Sequence, residues 1–129
     1  MLRFKLAALI GALLIGLMSA VPMFAASNTV SITDYRLAPG ETKCLPVLSA
    51  TSSADAQGTA NAGGANIAIF NGAVNPTNVV YLAFNSAGFH ATFSTSLPQG
   101  ATFPGKFKLC ATNPSTTNNT RISMSLTTN

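Results

Sequence analysis

The stretch GKFKLCATN, residues 105–113, alternates in a way that decides the fold class. Phe107, Leu109 and Ala111 fall on one side of an extended chain, and Lys106, Lys108 and Cys110 fall on the other. The pattern predicts a strand with one buried and one outward face. The same two-residue period recurs along the chain. NTVSITD (residues 28–34) sets Val30 and Ile32 against Thr29, Ser31 and Thr33, and KCLPVLS (residues 43–49) is a second candidate strand. ANIAIF, NVVYLAF and FHATFST follow, and RISMSLT (residues 121–127) puts Ile122, Met124 and Leu126 on one face.

Turn signals separate these runs. LAPG, NGAVNPT, NSAG and NPSTTNNT mark connections, with Asn71-Gly72 the strongest local turn signal of NGAVNPT and NSAG joining its neighbours as a hairpin. TSSADAQGTANAGG (residues 51–64) has small polar residues, glycine and a single charge, which predicts a long flexible loop. Some seven short strands with no helical periodicity after residue 26 indicate an all-β domain. The expected fold is a small antiparallel β-sandwich, jelly-roll-like in its layout. Its expected core is Val30, Ile32, Leu45, Val47, Ile67, Ile69, Val80, Leu82, Phe84, Phe93, Phe107, Leu109, Ile122, Met124 and Leu126.

An N-terminal hydrophobic helix precedes this domain in the sequence reading. Arg3 and Lys5 lead an apolar run over residues 6–21, broken by Pro22 and followed by small residues. That is the order of a secretory signal, with cleavage expected after Ala25. The run is short for a bilayer-spanning helix, which needs about 20 residues. A retained membrane anchor is the alternative, because residues 21–26 would lengthen the run. The expected organisation is therefore residues 1–25 as signal or anchor and residues 26–129 as one domain. Export places the domain in the periplasm, at the cell surface or outside the cell.

An exported chain whose only cysteines are Cys44 and Cys110 is expected to join them in one disulfide. The bond need not enter the core, since it can tie strands at a sheet edge, and Pro46 suits an edge there. Inter-chain pairing and a reactive thiol beside the lysines are the other two readings.

Catalytic chemistry has little to draw on. The one histidine, His90, shares the polar side of its strand with Thr92 and Ser94. The only carboxylates are Asp34, Glu41 and Asp55, scattered over loops and turns, so a hydrolytic triad or a paired-carboxylate site is not expected. A zinc site lacks ligands once the cysteines pair. Calcium held by Asp34, Asp55 and carbonyls is the remaining metal option. No cofactor motif is present, and Asn118-Asn119-Thr120 is a glycosylation sequon. Of seven basic residues Arg3 and Lys5 belong to the leader, and Lys106 and Lys108 form the only close pair. No nucleic-acid footprint results.

Surface composition is the strongest functional clue. Only 8 % of the chain is charged, against about 25 % in ordinary globular domains. Sparse charge lowers the desolvation cost of packing surfaces together and leaves sheet edges poorly guarded. A non-catalytic subunit of a coat, filament or matrix is the expected class. Its partners would be further copies of itself or another surface or virion protein, and a membrane only if residues 1–25 are retained. The expected assembly edge is the C-terminal strand, through Arg121, Ser123, Ser125 and Thr127, which lacks proline and carries one charge. A secreted ligand-binding module is a further alternative, although the chain has no tryptophan to stack on a sugar.

From Leu45 onward the order NIAIFN, NVVYLAFN, SLPQGATFP, LCATN and RISMSLT resembles small β-sandwich virion proteins of bacteriophages. The resemblance covers about two thirds of the chain and implies a virion structural protein. It departs in the export-type N-terminus and the candidate disulfide, which tailed-phage virion proteins do not usually carry. It therefore implies a membrane-associated virion component or a bacterial surface protein of the same fold. No functional residues carry over.

Overall fold

A computed structural model of the chain describes residues 27–61, 63–96 and 100–129. The expected signal or anchor over residues 1–25 lies outside the described residues. Nine strands follow one another: β1 (Asn28–Leu37), β2 (Thr42–Cys44), β3 (Leu48–Ala50), β4 (Ser53–Ala60), β5 (Ala65–Gly72), β6 (Asn78–Ser86), β7 (Gly88–Ser94), β8 (Gly105–Thr112) and β9 (Thr120–Thr128). All strand pairs are antiparallel. The first sheet runs β1-β9-β4-β7 and the second β2-β8-β5-β6, with β3 also on β8.

Both β2 and β3 pair with β8, at residues 110–112 and 105–107, so they form one edge strand interrupted at Pro46. Counted that way, the sheets hold four strands each. The chain passes from the first sheet to the second and back, over β1, β2/β3, β4, β5, β6, β7, β8 and β9. That is a jelly-roll β-sandwich.

The core forms where inward residues of the two sheets meet. Ala54 and Ala56 of β4, Phe93 of β7 and Ile122, Met124 and Leu126 of β9 face Ile67 and Ile69 of β5 and Phe107, Leu109 and Ala111 of β8. Phe107 is central, with ring centroids of Phe93 and Phe103 at 5.6 and 5.4 Å. Buried amides close the ends of the sandwich. Asn71 donates to the carbonyls of Thr102 and Lys106 and accepts from the Thr102 N–H. Asn113 donates to the carbonyls of Leu37 and Asn118 and accepts from the Ser115 N–H. Satisfied in this way, the two side chains replace water for loop backbone that would otherwise be buried unpaired.

Three expectations are corrected. Residues 53–60, read as part of a flexible loop, form β4, a central strand paired with both β7 and β9. Its apolar side is built of alanine, which fits because Met124 and Phe89 crowd against the backbone at Gly58. NGAVNPT is a turn-rich connection as expected, joining the antiparallel neighbours β5 and β6 with Asn71 opposite Asn78. The expected hairpin around NSAG is instead a passage between sheets: β6 is an edge of the second sheet and β7 an edge of the first. The chain turns there with Asn85 at φ 50°. Val47, Leu82 and Phe84 leave the core list, at 44, 54 and 69 % exposure: Val47 lies in the break between β2 and β3, and Leu82 and Phe84 point away from the opposite sheet.

Candidate functional site

The two outer faces of the sandwich have opposite chemistry. On the first sheet, Thr29, Ser31, Ser123, Ser125, Thr127, Asp55, Gln57, His90 and Thr92 point outward, as the register and the inward Ala54, Ala56, Met124 and Leu126 require. The face is nearly all hydroxyl and amide. Asp55 Oδ1 lies 2.6 Å from His90 Nε2 and accepts the Thr92 hydroxyl at 2.9 Å. His90 is solvent-facing, as its strand parity predicts. Asp55 thus takes both partners on one oxygen, and the trio is a cross-strand tie between β4 and β7. Asp34 sits apart in the β1 bulge, where Arg121 Nη1 reaches its carboxylate at 3.2 Å. Asp34 and Asp55, the carboxylates of the remaining calcium option, therefore have separate partners. Among the described residues, no group of three or more His, Cys, Asp or Glu could hold a metal ion.

The outer face of the second sheet carries an apolar strip, flanked by Thr42, Thr112 and Asn66 at one end and Ser49 and Lys106 at the other. Cys44, Cys110, Ala68 and Leu82 lie in one cross-strand row, and Lys108, Phe70 and Val79 in the next. Phe84 extends the patch along β6. Leu82, Phe84 and Val79 are more than half or half exposed. The Lys108 ammonium lies 4.9 Å from the centroid of Phe70, and Lys106 is one outward position further along β8. Lys106 and Lys108 are the only charges on this face. Exposed apolar side chains set side by side in this way offer a surface for contact with another molecule.

Cys44 and Cys110 are bonded within the chain, opposite each other with Cα atoms 4.0 Å apart. The bond ties the edge strand β2 to β8, as an edge disulfide should, and leaves no free thiol. Beside it the Thr42 and Thr112 hydroxyls hydrogen-bond at 2.7 Å.

A second tie joins the sheets near the start of β2. Tyr35 of β1 donates its phenol to Glu41 Oε2 at 2.7 Å, and the Ala38 N–H donates to Oε1 at 2.9 Å. Lys43 caps the Tyr35 ring at 5.2 Å. The Ala38 and Tyr35 hydrogen bonds, with Lys43 nearby, hold the Glu41 carboxyl below its ordinary value. The bond to Glu41, with smaller contributions from desolvation and the carboxylate charge, raises Tyr35.

The expected assembly edge is not an edge. β9 lies between β1 and β4, paired along its length with both. Its outward side chains serve the fold: Arg121 holds Asp34, the Ser123 hydroxyl accepts the Asp34 N–H, and Thr127 bonds Thr29. The sequence reading failed there because a C-terminal strand need not be outermost, and the jelly-roll order inserts it centrally. The apolar outer face was missed because Leu82 and Phe84 share the parity of a core strand. Only the pairing partner reveals which parity faces inward.

No known protein family matches the chain, and no curated protein does. Among solved structures it is similar to one described as the structure of infectious bursal disease virus Gt strain, with 17 % identity and a TM-score of 0.36. The match covers 79 % of this chain and 32 % of the other, so the chain spans about a third of that chain's length.

Proposed function

We propose that the protein is a non-catalytic structural subunit of an extracellular assembly, engaged through the apolar outer face of the second sheet. The observation that carries this reading is the exposure of Val79, Leu82 and Phe84 beside Ala68, Phe70 and the disulfide. Burying such a face gains about 25 cal/mol for each Å² of apolar surface removed from water. Few charges must be desolvated to do so, since Lys108 already lies over Phe70 and Lys106 can reach out of the contact. The disulfide supports an oxidising compartment. Export would follow from the leader order of residues 1–25, and intact mass of protein from its native source should place the mature N-terminus at Ala26.

A virion component is the specific form of this reading favoured by the jelly-roll strand order, a fold used by viral capsid domains. Lectin domains share that fold, so strand order leaves the function to the surface.

Leu82→Lys with Phe84→Lys tests the reading. Both side chains are exposed, so circular dichroism of the variant should match the parent. The parent is expected in high-mass material, bound to itself or to another structural protein, with the variant left in the soluble low-mass fraction. A variant that enters the assembly as efficiently as the parent would refute this use of the face.

A further inference from the structure

The sandwich has four edge positions, and three of them are guarded. β1 carries Asp34, Arg36 and a bulge between Ile32 and Tyr35. The β2/β3 edge is interrupted at Pro46 and carries Lys43. β6 is irregular in two places, between the partners Ala65 and Ile67 and between Ile69 and Phe70. Bulges, prolines and charges are the devices that keep sheet edges from pairing with other chains. β7 has none of them. Its pairing with β4 runs without a shift from Gly88 to Ser94, and it contains no Lys, Arg, Asp, Glu or Pro. Alternate residues of β7 therefore present backbone N–H and C=O groups to an empty side.

The gap beside β7 is also incompletely closed. Val80 and Tyr81 of β6 and His90, Ala91, Thr92 and Phe93 of β7 line an open depression of about 280 Å³ between the two sheet edges. Tyr81 is only partly buried there, and its ring centroid lies 6.5 Å from that of the partly buried Phe89.

We infer that β7 pairs antiparallel with β7 of a second copy across a two-fold axis through Ala91. The free backbone groups demand an extended strand, and β7 is self-complementary as that strand. With Ala91 opposite Ala91, Phe89 faces Phe93 twice on the inner side and His90 faces Thr92 twice on the outer side. Aromatic cross-strand pairs are among the better ones in sheets. Electrostatics favours a second copy. The lysines belong to the other sheet, and Asp55, the carboxylate nearest β7, is already bonded to His90 and Thr92. The axis stands perpendicular to the sheet, so it also brings the two β6 edges towards each other beneath the new pair. Each copy then covers the other's depression. This contact is on a different sheet from the apolar face of the proposed function and is tested by different residues.

Three measurements on protein recovered from an exporting host test the inference. Sedimentation velocity should show a concentration-dependent dimer for the parent. His90→Lys with Thr92→Lys should abolish it, with unchanged circular dichroism, whereas Ser125→Lys on the central β9 should leave the dimer intact. Mixing a His90→Cys chain with a Thr92→Cys chain should give an inter-chain disulfide that neither forms as efficiently alone. A parent that stays monomeric, a dimer that survives His90→Lys with Thr92→Lys, loss of the dimer in the β9 control, or no register-specific cross-link would each overturn β7 pairing. Capture of an unrelated extended peptide by a monomeric parent would also overturn it. None of these results touches the apolar face, whose failure is read separately from Leu82→Lys with Phe84→Lys.

Discussion

Replacing Gly58 by Ala separates a central strand from a flexible loop by the sign of its effect. In a flexible loop, Gly→Ala stabilises by about 0.4–1 kcal/mol, because it removes conformations from the unfolded chain. In the structure, a Cβ at Gly58 would lie 2.5 Å from the Ser123 carbonyl oxygen, 2.8 Å from Phe89 Cε1 and 2.9 Å from Met124 Cβ. Two of these three atoms are backbone or Cβ atoms and cannot swing away. The strand itself is held on both sides, with Phe89 opposite on β7 and Met124 opposite on β9. Forcing one extra carbon into such a site costs about 1–3 kcal/mol. For a domain of this size the midpoint of thermal unfolding should fall by roughly 5–20 °C. Gly88→Ala is the control, since its nearest contact would be the Gly58 carbonyl oxygen at 3.7 Å, an ordinary distance. Thermal unfolding by circular dichroism on parent and both variants is the assay. A Gly58→Ala midpoint equal to or above the parent's would refute the placement of β4.

Two further outcomes follow from the ties between strands. Cys44→Ala with Cys110→Ala removes a bond spanning 66 residues and should cost about 4 kcal/mol in denaturant unfolding. An unchanged midpoint would contradict that, and so would a covalent dimer of the parent on a gel without reductant. The Tyr35–Glu41 bond should give stability two pH limits. Glu41 is held low, so its contribution is present above its unfolded value and is lost as pH falls through the folded one. Tyr35 is raised, so its contribution is present below its unfolded value and is lost as pH rises through the folded one. Glu41→Gln should flatten the acid limb and Tyr35→Phe the alkaline limb of a stability–pH curve. Parallel curves for parent and variants would rule this out.

Much of the fold was legible wherever apolar side chains are large. Phe107, Ile122, Met124 and Leu126 alternate with polar neighbours, Ile67, Ile69 and Leu109 hold the same two-residue period, and all are buried. β4 was illegible because its inward residues are Ala54 and Ala56, which carry little β-propensity and no hydrophobic signal above their serine and glycine neighbours. β6 was legible as a strand but not in its orientation. Val79, Val80, Tyr81, Leu82 and Phe84 offer apolar residues to both faces, so periodicity cannot select the inner one. The disulfide was readable from the cysteine count together with the leader-like order of residues 1–25. The candidate surfaces were not, since an outer face and a free edge are properties of strand order. Strand order in a jelly roll joins residues far apart in the chain, as β1 and β9 show.

The claim that the apolar face is covered in the working assembly is tested most directly by hydroxyl-radical footprinting. Protein in its native assembly would be compared with the same protein dissociated. Leu82 and Phe84, with 54 and 69 % exposure in the isolated chain, should lose most of their labelling on assembly. Val74, exposed in the loop after β5, provides the reference within the same molecule. Equal labelling of Leu82 and Phe84 in both states would contradict the account.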